Sequence, residues 1–315
     1  MNRRQRVLAL LDDRSTQTFV PAGFFIHFDP KFHQGAAAVA KHVEFFKATG
    51  MDFVKVQFET VFPSRAIEFP SDWASVEPLP LAHFEGQLSA VEGLVEAVAG
   101  EALVLVTLYS PFMCAGQLAK GHPEGSMLLT RHLEEDPEAV RPALQEVTRS
   151  LQAFVEACID LGVDGFYTST QGGEQSRFKD PGIFTNHIKP WDLELMERTR
   201  GCPFNILHIC DYHDGYASLE PYRDYPGQVV NCSLTVGTNQ LSADEVSRLF
   251  GRPFMGGLDR HGVISTGPKE AIVEAVGTVL RSKSDKFLLG ADCTLPDDVD
   301  WDNLKVAIDL AHAYL

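Results

Sequence analysis

At 315 residues, with 44% apolar and 22% charged side chains, the chain has ordinary globular composition and ample length to bury a core. Its formal charge of −16, from 43 acidic against 27 basic residues, argues against nucleic acid and anionic membranes as partners, since both need a basic face. Six scattered cysteines without a CxxC, and an N-terminal apolar stretch too short for a signal peptide or a membrane span, predict a reducing, cytoplasmic setting.

In chain order, β-branched and aromatic runs predict strands near 18–27, 52–59, 102–110, 164–169, 203–210, 229–234, 253–259 and 286–293. Helical patterns fall near 35–49, 82–99, 137–161, 190–200, 242–250, 268–281 and 301–314. Ser242 with Glu245 forms a capping box, and Pro268 after Gly267 opens a helix. The segment 211–226 after the fifth strand is short and broken by proline. Alternating β and α over the whole length predicts an α/β fold with a parallel sheet. Eight units in this length predict one (β/α)8 TIM barrel spanning 1–315 as a single domain. No GxGxxG follows the first strand, which speaks against a dinucleotide site. Two long connections, 60–81 and 111–136, are expected as loops over the C-terminal face, where barrel enzymes do their chemistry.

Side chains alternate along a strand, so Phe204, Ile206, His208 and Cys210 share one face; Phe287, Leu289, Ala291 and Cys293 share another. His208, Cys210 and Cys293 thus end two strands with one imidazole and two thiols. Three such ligands with an open fourth position match catalytic zinc. The same residues also fit two buried cysteines and a histidine in the core. On the second strand Lys55, Gln57 and Glu59 share a face, opposite Val54, Val56 and Phe58. A charged stripe in a barrel strand either lines the cavity or marks a misread strand, and buried charges need partners, so Lys55 and Glu59 pair with each other or with the lumen. His27 closes the first strand, and Thr107 and Tyr109 share a face at the end of the third. The loop after the fourth strand carries Gln171, Glu174 and Arg177, where Glu174 is a candidate fourth ligand or substrate contact. Arg260 ends the seventh strand as a candidate anion contact. Asp211, His213 and Asp214 follow the His-x-Cys pair and are candidates to orient His208.

The runs GGLDRHGVISTGPKEAIVEAV, LHICD and FLLGADCTLPDDVDWDNLKVAIDLAHAY resemble the uroporphyrinogen decarboxylase superfamily, most clearly over roughly 160–315. The resemblance implies a (β/α)8 barrel and two chemistries. True uroporphyrinogen decarboxylases carry an arginine motif of the type MRQAGRY after the first strand; here that region reads PAGFFIHFDPKFH, without arginine. Their aspartate after the second strand corresponds to Glu59, and their DSW-type segment appears as STQ. The other branch transfers a methyl group from a methyl-corrinoid protein to a thiol and binds zinc through H-x-C and a later C. His208, Cys210 and Cys293 match that signature residue by residue. This implies a zinc methyltransferase with Glu59, Lys55 and His27 as catalytic candidates and Gln57, Tyr109, Glu174 and Arg260 as substrate contacts. Its partners would be a small-molecule thiol and a separate corrinoid carrier protein. The alternatives are a decarboxylase of tetrapyrrole synthesis and a non-catalytic metal or corrinoid binder.

Overall fold

The computed structural model describes residues 1–12, 16–98, 100–120 and 123–314. Near-continuous apolar runs form strands buried on both faces, as parallel strands require. They are β1 (Phe53–Val56), β2 (Leu103–Tyr109), β3 (Gly165–Thr170), β4 (Ile206–Ile209) and β5 (Val229–Cys232). A small antiparallel hairpin of β6 (Thr235–Val236) and β7 (Asn239–Gln240) precedes β8 (Phe254–Leu258) and β9 (Phe287–Ala291). The main sheet has seven parallel strands in the order β1-β2-β3-β4-β5-β8-β9, so consecutive main strands are neighbours throughout.

Helices cover the outside: α1 (Arg3–Leu8), α2 (Gly35–Thr49), α3 (Glu85–Ala97), α4 (Pro111–Lys120), α5 (Glu124–Glu135) and α6 (Pro137–Asp160). They continue with α7 (Lys189–Glu197), α8 (Ala243–Phe250), α9 (Val263–Thr266), α10 (Lys269–Arg281) and α11 (Trp301–Ala313). Val54, Val56, Val104, Val106, Leu207, Ile209 and Leu289 face this layer. A second cluster fills the inside of the curled sheet with Phe53, Leu105, Tyr167, Phe204, Ile206, Val229, Met255 and Leu288. Val7 of α1, together with Leu10, joins the inner cluster and stoppers its lower end.

The first expected strand, 18–27, does not form a continuous ladder. Pro21 has no N–H to give, and the segment joins the sheet through isolated bridges, Ala22 to Leu289 and Ile26 to Leu295. Gly23 N–H donates to Leu289 O at 3.0 Å, and Leu289 N–H donates to Pro21 O at 2.9 Å. On the β1 side Asp52 N–H reaches Ala22 O at 3.0 Å, and the Asp52 carboxylate accepts the Ala22 N–H at 2.8 Å. In place of eight ladders there is thus a curled seven-stranded parallel sheet with the 20–26 segment between its two edge strands.

A second correction concerns the connection 111–136, expected as a loop. It holds α4 and α5, apart from residues 121–122, which lie outside the described residues, as does Ala99 at the end of the expected 82–99 helix. Among the described residues no helix is long and apolar enough to cross a membrane.

Candidate functional site

The inner face of the sheet turns polar toward its C-terminal edge. Phe53 and Leu105 belong to the inner cluster, so alternation points Lys55 and Thr107 inward, one step nearer that edge. On β4, Phe204 and Ile206 lie in the inner cluster and His208 follows with the same parity. Cys293 arrives differently. Phe287, Leu289 and Ala291 pack in the outer layer, so the shared inward face expected for them with Cys293 does not exist. The chain bends after Ala291, and this bend carries the thiol inward.

The donor atoms of His208, Cys210 and Cys293 all lie within 4.8 Å of one another, and all three residues are buried. Cys293 Sγ is 3.4 Å from His208 Nε2 and 4.0 Å from Cys210 Sγ. Gln171 Nε2 donates to Cys210 Sγ at 3.4 Å. The hydrogen bond from Cys293, helped by His208 and Gln171 against the effect of burial, draws the Cys210 thiol well below its ordinary range. The same pairing pushes Cys293 up.

Tyr167 stacks on His208 with ring centroids 4.9 Å apart. Its hydroxyl donates to Asn231 Oδ1 at 2.6 Å, and Asn231 Nδ2 donates to Met255 O and Ala291 O. The imidazole is thus held by a ring that is itself tied across to β8 and β9. None of Asp211, His213 and Asp214 is hydrogen-bonded to His208, whose Nδ1 has no partner among the described residues. Asp211 instead pairs with Arg260, and Asp214 accepts from Ser176. Tyr167 and Asn231 were not singled out by sequence; the signal was there for Tyr167, which shares strand parity with Ser169 and Gln171.

Lys55 and Glu59 do not pair. Lys55 Nζ donates to Gln57 Oε1 and, at 3.1 Å, to Thr107 Oγ1, and sits 4.4 Å from the Phe25 ring centroid and 4.7 Å from that of Tyr167. Burial brings its amine down to about 7, opposed by the negative charges of Cys293, Glu59 and Cys210. Gln57 Nε2 donates to Ile26 O at 2.9 Å. Glu59 meets His27 Nδ1 at 2.9 Å and His33 Nδ1 at 3.7 Å; His27 is 44% exposed, so this pair stands at the mouth. Tyr109 packs on Phe58 with centroids 5.4 Å apart. Burial, then the charges of Glu59 and the two thiols, push its phenol upward, so Tyr109 stays protonated between Glu59 and the sulfurs.

Two expected contacts are committed elsewhere. Glu174 is not among the metal-donor group: its carboxylate takes Arg177 Nε at 3.0 Å and Nη2 at 2.9 Å, and the Gly172 N–H at 2.9 Å. Arg260 Nη1 is held by Asp211 at 2.7 Å and Asp292 at 3.2 Å. With Asp259, these residues line a cleft of about 440 Å³ beside the thiols. Two spoken-for charges leave Arg260 poorly placed to grip a further anion.

The donor spacing fits a zinc ion. Tetrahedral Zn²⁺ with Zn–S near 2.3 Å and Zn–N near 2.0–2.1 Å places its donors roughly 3.5–3.8 Å apart. Two of the three separations, 3.4 and 4.0 Å, bracket that range, and the third, between His208 and Cys210, lies within 4.8 Å. Three protein donors leave the fourth position open for a ligand.

Comparison with known proteins adds three similar solved structures. A methyltransferase from Methanosarcina mazei superposes with a TM-score of 0.75 at 14% identity, covering 99% of this chain and 98% of that one. A B12-independent methionine synthase from Shewanella sp. W3-18-1, in complex with selenomethionine, gives 0.57 at 11%, covering 94% and 97%. A putative vitamin-B12 independent methionine synthase from Listeria monocytogenes gives 0.55 at 15%, covering 87% and 84%. At these identities the likeness is one of fold. No curated protein sequence matches the chain. The sequence profile of the uroporphyrinogen decarboxylase (URO-D) family matches residues 45–314, and the chain belongs to that family.

Proposed function

We propose that this protein is a zinc-dependent methyltransferase, a single domain that moves a methyl group from a methyl-corrinoid on a separate carrier protein to a small thiol. The observation that carries this reading is the convergence of His208, Cys210 and Cys293, with an open fourth position, at the C-terminal edge of the sheet. The fold likeness to the Methanosarcina mazei methyltransferase supports it.

His208, Cys210 and Cys293 would hold the metal. When bound, zinc supplies Lewis acidity that favours thiolate over thiol in its open position. The chain's own residues do the rest. Tyr167 fixes the His208 ring, and Gln171 holds Cys210 Sγ. Glu59 with His27, half exposed at the mouth, is placed to pass the acceptor's proton to solvent. The acceptor's thiolate would be the nucleophile: its S–C bond would form as the methyl–cobalt bond of the carrier's corrinoid breaks and leaves its electron pair on the corrinoid, and co-locating the two is what the C-terminal edge of the sheet would contribute.

The decarboxylase reading has the family's name in its favour but lacks cations for a polycarboxylate. Lys55 is buried, and Arg260 is held by two aspartates. The deciding experiment is elemental analysis of untagged protein, wild type beside Cys293→Ala. About one zinc per chain, lost in the variant, supports the reading. Metal-free wild type that takes up no added zinc, or uroporphyrinogen turnover by metal-free protein, would sink it.

A further inference from the structure

Lys55 is a buried amine that the fold leaves without a carboxylate in contact among the described residues. It is 5% exposed, and among the described residues no other lysine or arginine is buried so deeply. Its ammonium donates to two neutral oxygens, on Gln57 and Thr107, and rests against the rings of Phe25 and Tyr167. It makes no ion pair among the described residues, whereas Arg177 is paired with Glu174, and Arg260 with Asp211 and Asp292. The two carboxylates nearest along the chain are engaged elsewhere: Asp52 by the Ala22 N–H and His312, and Glu59 by His27 and His33. Evicting a charge from water without a partner is expensive. Ring faces recover part of that cost.

Lys55 and His208 lie against the same ring, that of Tyr167, so the unpaired cation is stationed beside the metal ligands. Charge counting then gives it a partner. A divalent ion held by a neutral imidazole and two thiolates is a neutral centre. An acceptor thiol that binds as thiolate breaks its S–H bond, keeps both electrons on sulfur and sends the proton to solvent. The centre then carries one net negative charge in a buried site. We infer that Lys55 is the built-in counter-charge for the acceptor's thiolate, and so selects the ionised sulfur over the thiol. This rests on the proposed methyl-transfer reading and adds to it the anionic form in which the acceptor is held.

A unit charge acting over roughly 5–10 Å at an effective dielectric of about 20 changes the affinity of an anion by about tenfold or more. The test uses Co²⁺-loaded protein titrated with 2-mercaptoethanol, whose tail is neutral, and with mercaptoacetate, whose tail is anionic. Sulfur-to-cobalt absorption reports binding. Wild type, Lys55→Met, Lys55→Gln and Lys55→Arg are compared, with circular dichroism to confirm folding. The expected result is one Co²⁺ per chain in all four, affinity for both thiols about tenfold weaker in the methionine and glutamine variants, and recovery in the arginine variant. Unchanged affinity in both uncharged variants overturns the inference and leaves the metal site standing. A loss confined to mercaptoacetate also overturns it, by assigning Lys55 to a tail carboxylate. Wild type that takes up no Co²⁺ overturns the methyl-transfer reading itself, and the inference with it.

Discussion

Arg260 shows at the level of one residue how a sound chemical expectation is redirected by packing. An arginine at the end of the seventh expected strand suits an anion, but two aspartates reach it first, and its backbone N–H also donates to Asp292 Oδ1 at 2.8 Å. Burial disfavours its charge, and Asp211 and Asp292 outweigh that effect. Asp211 follows Cys210 and Asp292 precedes Cys293, so the guanidinium ties the two thiol-bearing ends together. Arg260→Met is expected to lower stability by about 2–3 kcal/mol at pH 7, because it strands two largely buried carboxylates. Urea unfolding with and without sulfate would decide the matter. If sulfate protects wild type but not the variant, Arg260 is an anion site after all. The closeness of His208 and Cys210 in the candidate donor cluster was legible in the sequence because the two obey strand parity. The route of Cys293 was not, since parity stops where a strand bends. The partners of Lys55 were not legible either, since they come from across the sheet.

The elements themselves were read well where periodicity is undiluted. The 35–49 pattern is α2, and the capping box at Ser242 opens α8. The failure at α4 and α5 has a physical source. Gly116 and Gly125 break up the apolar pattern, yet a side chain at Gly116 would meet Ser126 Oγ at 2.7 Å, so glycine is what lets α4 and α5 pack closely. The first strand was overread because its bonding runs through single bridges and the Asp52 carboxylate rather than a ladder. Helix α2 makes a pH prediction. His42, 6% exposed, holds Nδ1 at 2.8 Å from Ala38 O and leaves Nε2 without a partner. Burial brings its imidazole down from 6.5 to about 4. The unfolded chain thus takes up a proton that the folded one refuses between these values. Stability from this group is complete above about 6.5 and falls away toward pH 4, by roughly 3 kcal/mol in full. His42→Leu is expected to flatten that part of the curve. A stability difference between pH 7 and pH 5 that is equal in both proteins would refute the assignment.

For the whole molecule, the donors come from far-apart places in the sheet. His208 lies on β4 with Cys210 just beyond it, while Cys293 follows β9, and β5 and β8 stand between. Strand β9 is also the edge against which the 20–26 segment is bridged. An ion bound by all three residues would join the middle of the sheet to the strand that meets this seam, and would bind only when the sheet is curled. Ligation restricted to the folded state stabilises it by about 4 kcal/mol at free metal 1,000 times the dissociation constant. Zinc is therefore expected to raise the melting temperature of wild type by several degrees, reversibly on chelation. Cys293→Ala should show no such rise, whatever its own midpoint without metal. Cys158→Ala, removing a buried thiol of the outer layer, should melt lower yet keep the full zinc response. Equal responses in wild type and Cys293→Ala would place the ion elsewhere. No response in either would make the three residues a packed cluster, with the two sulfurs and the imidazole held together by their neighbours alone.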